Sequence, residues 1–191
     1  ITLSNDGKDI VMNPINGNIY ISYSNSPTIT IYDWTNSLVT TLSTPEPGDT
    51  MTGAMTWNAY DQDTYVTTNG NSVIRINGDT NAIKATYSIP GVSTDYIFYD
   101  PASEGVYVWG STSLYKIVSG EIYQIAAVPT SGFTDMLFNN LTGEINISNE
   151  DAFKSIDIYN DDVNLNEAIN EYGYIALNQH DGMIYMSCES S

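Results

Sequence analysis

Basic residues are scarce in this chain. Lys8, Lys84, Lys116, Lys154 and Arg75 are the whole set, against 23 Asp and Glu, for a formal net charge of −18. They do not cluster. Binding nucleic acid requires grouped Lys and Arg to neutralise phosphates, so that function class is excluded. Attraction to an anionic membrane surface fails for the same reason. Cysteine occurs once, at Cys188, which leaves no internal disulfide and no Cys-rich metal centre. Histidine also occurs once, at His180. That is too little for a zinc site. A Ser-His-Asp site would have to use His180, and no Gly-x-Ser-x-Gly elbow accompanies it. There is no phosphate-cradling Gly-x-x-x-x-Gly-Lys loop. No apolar run approaches the roughly 18 residues of a membrane span. The chain opens at Ile1 with neither Met nor a basic-then-apolar leader, so the expectation is a removed leader or a piece of a longer protein.

What is abundant is strand and turn chemistry: 15 Tyr, with frequent Thr, Ser, Asn and Ile. Asn or Asp followed seven positions later by Tyr recurs as Asn13/Tyr20, Asn58/Tyr65, Asp100/Tyr107 and Asn178/Tyr185, and Asn139/Asn146 is a copy with the aromatic replaced. The anchors step by 45, 42, 39 and 39 residues, a period of stacked blades or a solenoid. Each anchor opens a hairpin turn. Asn13 can bond backbone two residues on, Pro14 pre-sets φ, and Gly17 can take the left-handed conformation that closes the turn. Gly143 and Gly182 stand at the matching place, Gly105 is one position late, and Gln62 in the second unit implies a hairpin different in detail.

Each of the first four units reads as four short strands, and the fifth as only its first two, Tyr174–Leu177 and Met183–Ser187. The fourth unit ends in a weaker edge strand near Val163–Leu165, and Leu165–Tyr172 is the one run where a short helical turn is expected. The units span about 9–53, 54–94, 95–133, 134–171 and 172–191 together with 1–4. The fold expected is all-β: a single β-propeller domain of about five four-stranded blades, the last closed by the N-terminal strand Ile1–Ser4. The competing architecture is a fragment of a larger propeller. The column before the anchor (Met12, Trp57, Tyr99, Phe138, Leu177) is expected to fill the space between innermost strands.

The second unit carries Tyr65-Val66-Thr67-Thr68-Asn69, Asn71-Ser72-Val73, Thr80-Asn81 and Ala85-Thr86. This resembles the YVTN-type β-propeller repeat, and Asn13-Pro14, Tyr20-Ile21 and Thr35-Asn36 echo it in the first unit. The resemblance implies a propeller and, from the company such repeats keep, a cell-surface or surface-layer setting. It implies no activity. A related bacterial scaffold has been linked to DNA binding, which the charge here opposes.

No cofactor is required by any motif. Calcium is the best candidate, because hard oxygen ligands cluster at Asp61-Gln62-Asp63, Asn149-Glu150-Asp151 and Asn160-Asp161-Asp162, though none has EF-hand spacing. A sialidase-like site would need several arginines. Other glycoside hydrolases need two carboxylates, which 23 acids supply by chance. The remaining option is recognition by one loop face. The residues expected there are Trp109, Tyr23, Asn25, Asp49, Asn69 and Asp151, with Trp109 as the ring on which a sugar would stack. The expected function is therefore a non-enzymatic extracellular, cell-surface or virion module that binds glycan or protein. A purely structural bead of a longer chain and a carboxylate-pair hydrolase are the alternatives.

Overall fold

The computed structural model describes residues 6–24, 26–45, 48–50, 53–92, 96–110, 113–127, 133–149, 152–160, 162–168 and 174–187. Among them every regular element is a strand. The strands are β1 Gly7–Met12, β2 Ile19–Tyr23, β3 Thr28–Tyr32, β4 Leu38–Ser43, β5 Met55–Asn58, β6 Asp63–Thr67, β7 Ser72–Asn77, β8 Ile83–Ser88 and β9 Ile97–Asp100. They continue as β10 Gly105–Trp109, β11 Ser113–Val118, β12 Glu121–Ala127, β13 Phe133–Asn139, β14 Glu144–Asn149, β15 Ala152–Asp157, β16 Asp162–Ala168, β17 Ile175–Leu177 and β18 Ile184–Met186. They form four four-stranded antiparallel meanders and the β17–β18 pair, in sequence order. The expected strands are present with ends shifted by a few residues, apart from Ile1–Ser4, which lies outside the described residues. Leu165–Tyr172 departs from expectation: its described part, Leu165–Ala168, is the end of strand β16. Pairing to β15 overrides the weak helical pattern there.

The chain divides into two compact units. The first holds β1–β10 and most of the third sheet; the second holds the other two sheets with the start of β11 and the end of β12. In the first unit β1 lies against β5 and β5 against β9; in the second, β13 lies against β17. Within each unit, first strands of successive sheets are thus neighbours. Strands β6 and β10 are buried along their whole length, which is why they carry apolar residues on both faces. One core cluster joins Tyr20, Ile29, Ile31, Met55, Val66, Ile74 and Ile76 of the first two sheets. A second joins Tyr65, Val73, Tyr87 and Ile89 to Val106, Val108 and Ile117 of the third. Each such aliphatic side chain contributes about 1.5–3 kcal/mol by leaving water. Of the column before the anchor, Met12 departs from expectation: it is 57% exposed, while Trp57, Tyr99, Phe138 and Leu177 are half-buried.

The hairpin turns explain the repeat. The anchor side chain accepts the N–H two residues on in all five copies, from Ile15, Tyr60, Ala102, Leu141 and His180. Four residues after the anchor the backbone is left-handed each time, at Gly17, Gln62, Glu104, Gly143 and Gly182. Where Gly sits there, its N–H closes onto the anchor carbonyl at 2.9 Å. In the second and third units the anchor carboxamide or carboxylate also accepts from Asp61 or Ser103, three residues on. The second hairpin thus differs in detail, as expected. The third corrects the reading of Gly105: the left-handed residue is Glu104, and Gly105 is in β10. A Cβ there would meet Lys116 Cε at 2.5 Å, where the lysine lies over the Tyr107 ring.

Candidate functional site

The expected loop face assembles only in part. In the first unit, Asn69 Oδ1 accepts from Thr50 N at 2.7 Å and Asn69 N donates to the Thr50 carbonyl at 3.2 Å. Thr44 Oγ1 donates to the Asp49 carbonyl. The Asp49 carboxylate lies directly on Gly70, where any Cβ would collide with it at 1.8 Å. A side chain at Gly70, in the turn between β6 and β7, would have to turn the Asp49 carboxylate aside. Asn71, left-handed at φ 60°, accepts from Gly91 N through its side chain and from Ile89 N through its carbonyl. Asp49 and Asn69 are thus brought together on a rigid frame, a carboxylate acceptor beside an amide. Asn25 and Asp151 lie outside the described residues.

Trp109 and Tyr23 fail as ligand platforms. They are 3% and 4% exposed, so neither ring has a face to offer. The signal that misled was position: Trp109 ends a strand next to a loop, and the pattern that buries β10 on both sides runs through it. Asp61 and Asp63, the first of the oxygen clusters considered for calcium, are engaged with protein groups. Buried Asp63 receives the Arg75 Nε–H, Lys84 Nζ at 2.8 Å and Gly78 N at 3.2 Å. Asp61 receives Arg75 Nη2 at 2.8 Å and the Tyr65 hydroxyl at 2.6 Å. Both carboxylates serve the interior. Burial, and then the Asp61 carboxylate, push the Tyr65 phenol far above its usual range, so it stays protonated and donates. Of the other two clusters, Glu150, Asp151 and Asp161 lie outside the described residues. Among the described residues no three His, Cys, Asp or Glu group as a metal site would.

The opposite ends of the strands present what sequence reasoning missed. Trp34, in the turn between β3 and β4, is 75% exposed. Its turn is held by Asp33, whose Oδ1 accepts from Thr35 N, Thr35 Oγ1 and Ser37 N at 2.8, 2.6 and 2.9 Å. The Trp34 side chain crosses the β1–β2 turn, 3.3 Å from where a Gly17 Cβ would stand. Ile15 of that turn is exposed as well. A large ring inside a polar Asp-Trp-Thr-Asn turn was the available signal.

No protein-family model matches the sequence, and no curated protein matches it. Solved structures do. The virginiamycin B lyase of Staphylococcus aureus is similar at 15% identity and TM-score 0.72, over 97% of this chain and 64% of that one. Hydrazine synthase of Kuenenia stuttgartiensis is similar at 17% identity and TM-score 0.68, over 90% and 51%. A Bacteroides caccae protein of unknown function is similar at 13% and TM-score 0.60, over 97% and 72%. The fold is all-β and propeller-like. The chain spans about two thirds of the lyase and half of the synthase. Identities this low speak to fold alone, because unrelated activities share propeller scaffolds.

Proposed function

We propose that this protein is a non-enzymatic recognition module of an extracellular or cell surface, binding glycan through a turn face centred on Trp34. The observation that carries the reading is an indole 75% exposed on a turn immobilised by three hydrogen bonds to Asp33. An exposed ring keeps its apolar face free for a partner to cover, and a fixed ring binds with little entropy to lose. The neighbouring polar turn residues suit hydroxyl groups. The repeat is read as YVTN-type, and the sheets as blades of a ring of about five; the N-terminal strand expected at Ile1–Ser4 lies outside the described residues. Calcium has no assigned role in this reading.

A glycan array on wild type and Trp34→Ala tests it. Binding lost in a variant that unfolds at the wild-type urea midpoint supports the turn face. Binding lost instead in Asn69→Ala or Asp49→Asn moves the site to the opposite loops. A blank array for the wild type overturns recognition of glycans and leaves the structural bead.

A further inference from the structure

The second unit contains a cavity of about 400 Å³ between β14–β15 and the β17–β18 hairpin. The repeat explains its origin. Asn146 stands seven residues after its anchor, where the first three units bury Tyr20, Tyr65 and Tyr107. Its register partner is Ser155, whereas Tyr20 pairs with Ile31 and Tyr65 with Arg75. Both members of a bulky pair have become small together, and both line the space that results. Asn146 is 1% exposed and Ser155 5%, yet Asn146 Nδ2 and Ser155 Oγ have no hydrogen-bond partner among the described residues. Buried polar groups are almost always paired. Two unpaired ones on neighbouring strands, just beneath the wall of one cavity, mark a place that something else completes.

We propose that this cavity binds a neutral pyranose, a single sugar ring. Asn146 Nδ2 and Ser155 Oγ are closed to water, so a sugar meets them only once the wall in front of them turns aside; Asn146 then offers N–H donors and Ser155 a hydroxyl that can donate or accept. The Glu144 carboxylate, which also accepts from Thr142 Oγ1 at 2.9 Å, lines the same space and accepts further hydroxyls. Phe153 and Met186 form an apolar side suited to the C–H face of a sugar. A phenol, with one hydroxyl, would leave part of this polar set unmet. No Lys or Arg is among the lining residues, and Glu144 repels an anionic sugar. The volume lies near the low end of ligand pockets, about 300–1,000 Å³, so one ring enters rather than a chain of them. The cavity binds without hydrolysing, since glycoside cleavage takes two carboxylates and Glu144 is the single acid among its described lining residues. The site uses none of the turn-face residues, so it stands or falls apart from the Trp34 reading.

Saturation-transfer NMR on the full chain tests it, with methyl α-glucopyranoside, α-galactopyranoside and α-mannopyranoside as ligands, glucuronate as the anionic control and p-cresol as the single-hydroxyl control. At least one pyranoside should bind and shift the Met186 methyl signal. Asn146→Tyr, which restores the ring of the sibling repeats, should weaken that binding by at least about tenfold, and Ser155→Val by several-fold, because an unmet hydrogen bond discriminates strongly. Trp34→Ala should leave it unchanged. The proposal is overturned if no pyranoside binds, if Asn146→Tyr binds as well as wild type, if Trp34→Ala removes the signal, or if p-cresol or glucuronate binds while the pyranosides do not.

Discussion

One position is filled in the second repeat and hollow in the fourth. Opposite each other on β6 and β7, Tyr65 and Arg75 pack ring against guanidinium, with Arg75 5.6 Å from the ring centroid and Tyr87 stacked beyond at 6.3 Å. Opposite each other on β14 and β15, Asn146 and Ser155 leave a cavity. Both hairpins nevertheless share the anchoring bond, from Asn58 or Asn139 to the N–H two residues on. Local turn chemistry holds each hairpin, so the interior pair is free to vary. Copying the hollow into the filled repeat should break this most severely. Tyr65→Asn removes a fully buried ring and strips Asp61 and Arg75 of a partner, so urea unfolding should show a loss of about 3–5 kcal/mol. A loss below about 1 kcal/mol would mean the ring is dispensable to the repeat.

The two units also share a device absent from the sheets between them. Asp9 Oδ2 accepts Met55 N at 2.7 Å, and Asp135 Oδ2 accepts Ile175 N at 3.0 Å. Each aspartate sits four residues before its anchor at an irregularity in the strand ladder, and each satisfies an N–H of the next sheet's first strand. The second and third repeats carry Ala54 and Tyr96 at that place. Asp9→Ala and Asp135→Ala should each cost about 1–3 kcal/mol, the range for a hydrogen bond to a charged group whose loss strands a donor. Ala54→Asp, by contrast, should gain nothing, because no ladder irregularity aims its side chain across. Equal losses at Asp9 and Asp135 would show that the clasp works alike in both units.

Fold was legible in the sequence because it is written in short-range chemistry. The Asn or Asp anchor, the left-handed position and the alternating strands act within a few residues, and strand ends follow from them. The site was less legible because exposure is not a local property. Trp109 and Trp34 each lie close to a turn. Only the neighbouring sheets decide that the first is interior and the second is in water. Asn146 was visible as the break in the Tyr column, but its consequence required knowing that Ser155 stands opposite. Asp9 and Asp135 were legible in spacing and unread, because nothing in one repeat reveals the backbone of the next.

A smaller effect separates the hairpins themselves. Gln62 and Glu104 hold φ of 59° and 55° where the other three repeats use Gly, and a side chain in that conformation costs roughly 1 kcal/mol. Gln62→Gly and Glu104→Gly should therefore each stabilise the first unit, by about 0.5 kcal/mol once the freer unfolded chain is counted. Gly143→Ala should do the reverse in the second unit, because it places a side chain at φ 71°.

The least effect expected is in acid, at the β3–β4 and β15–β16 turns. Asp33 and Asp157 are both held below the usual carboxylate range. For Asp33 the first cause is the Thr35 hydroxyl; for Asp157 it is the Tyr159 backbone N–H. Each carboxylate is therefore ionised in the folded chain at pH values where the unfolded chain, near pKa ~3.9, has taken up a proton. The unfolded state binds more protons in that window, so stability rises with pH through it. The contribution is complete above the unfolded pKa and disappears as pH falls through the lowered folded value. Asp33→Asn and Asp157→Asn should each flatten that acid limb slightly. The two turns part at Thr35→Val: removing the hydroxyl should return the Asp33 carboxyl toward its ordinary pKa, read by carbon-detected NMR titration. No single side-chain change does as much at Asp157, whose main donor is backbone. If Asp33 titrates unchanged in Thr35→Val, the backbone amides alone hold the charge, and the turn carrying Trp34 owes its rigidity to the main chain rather than to its threonine.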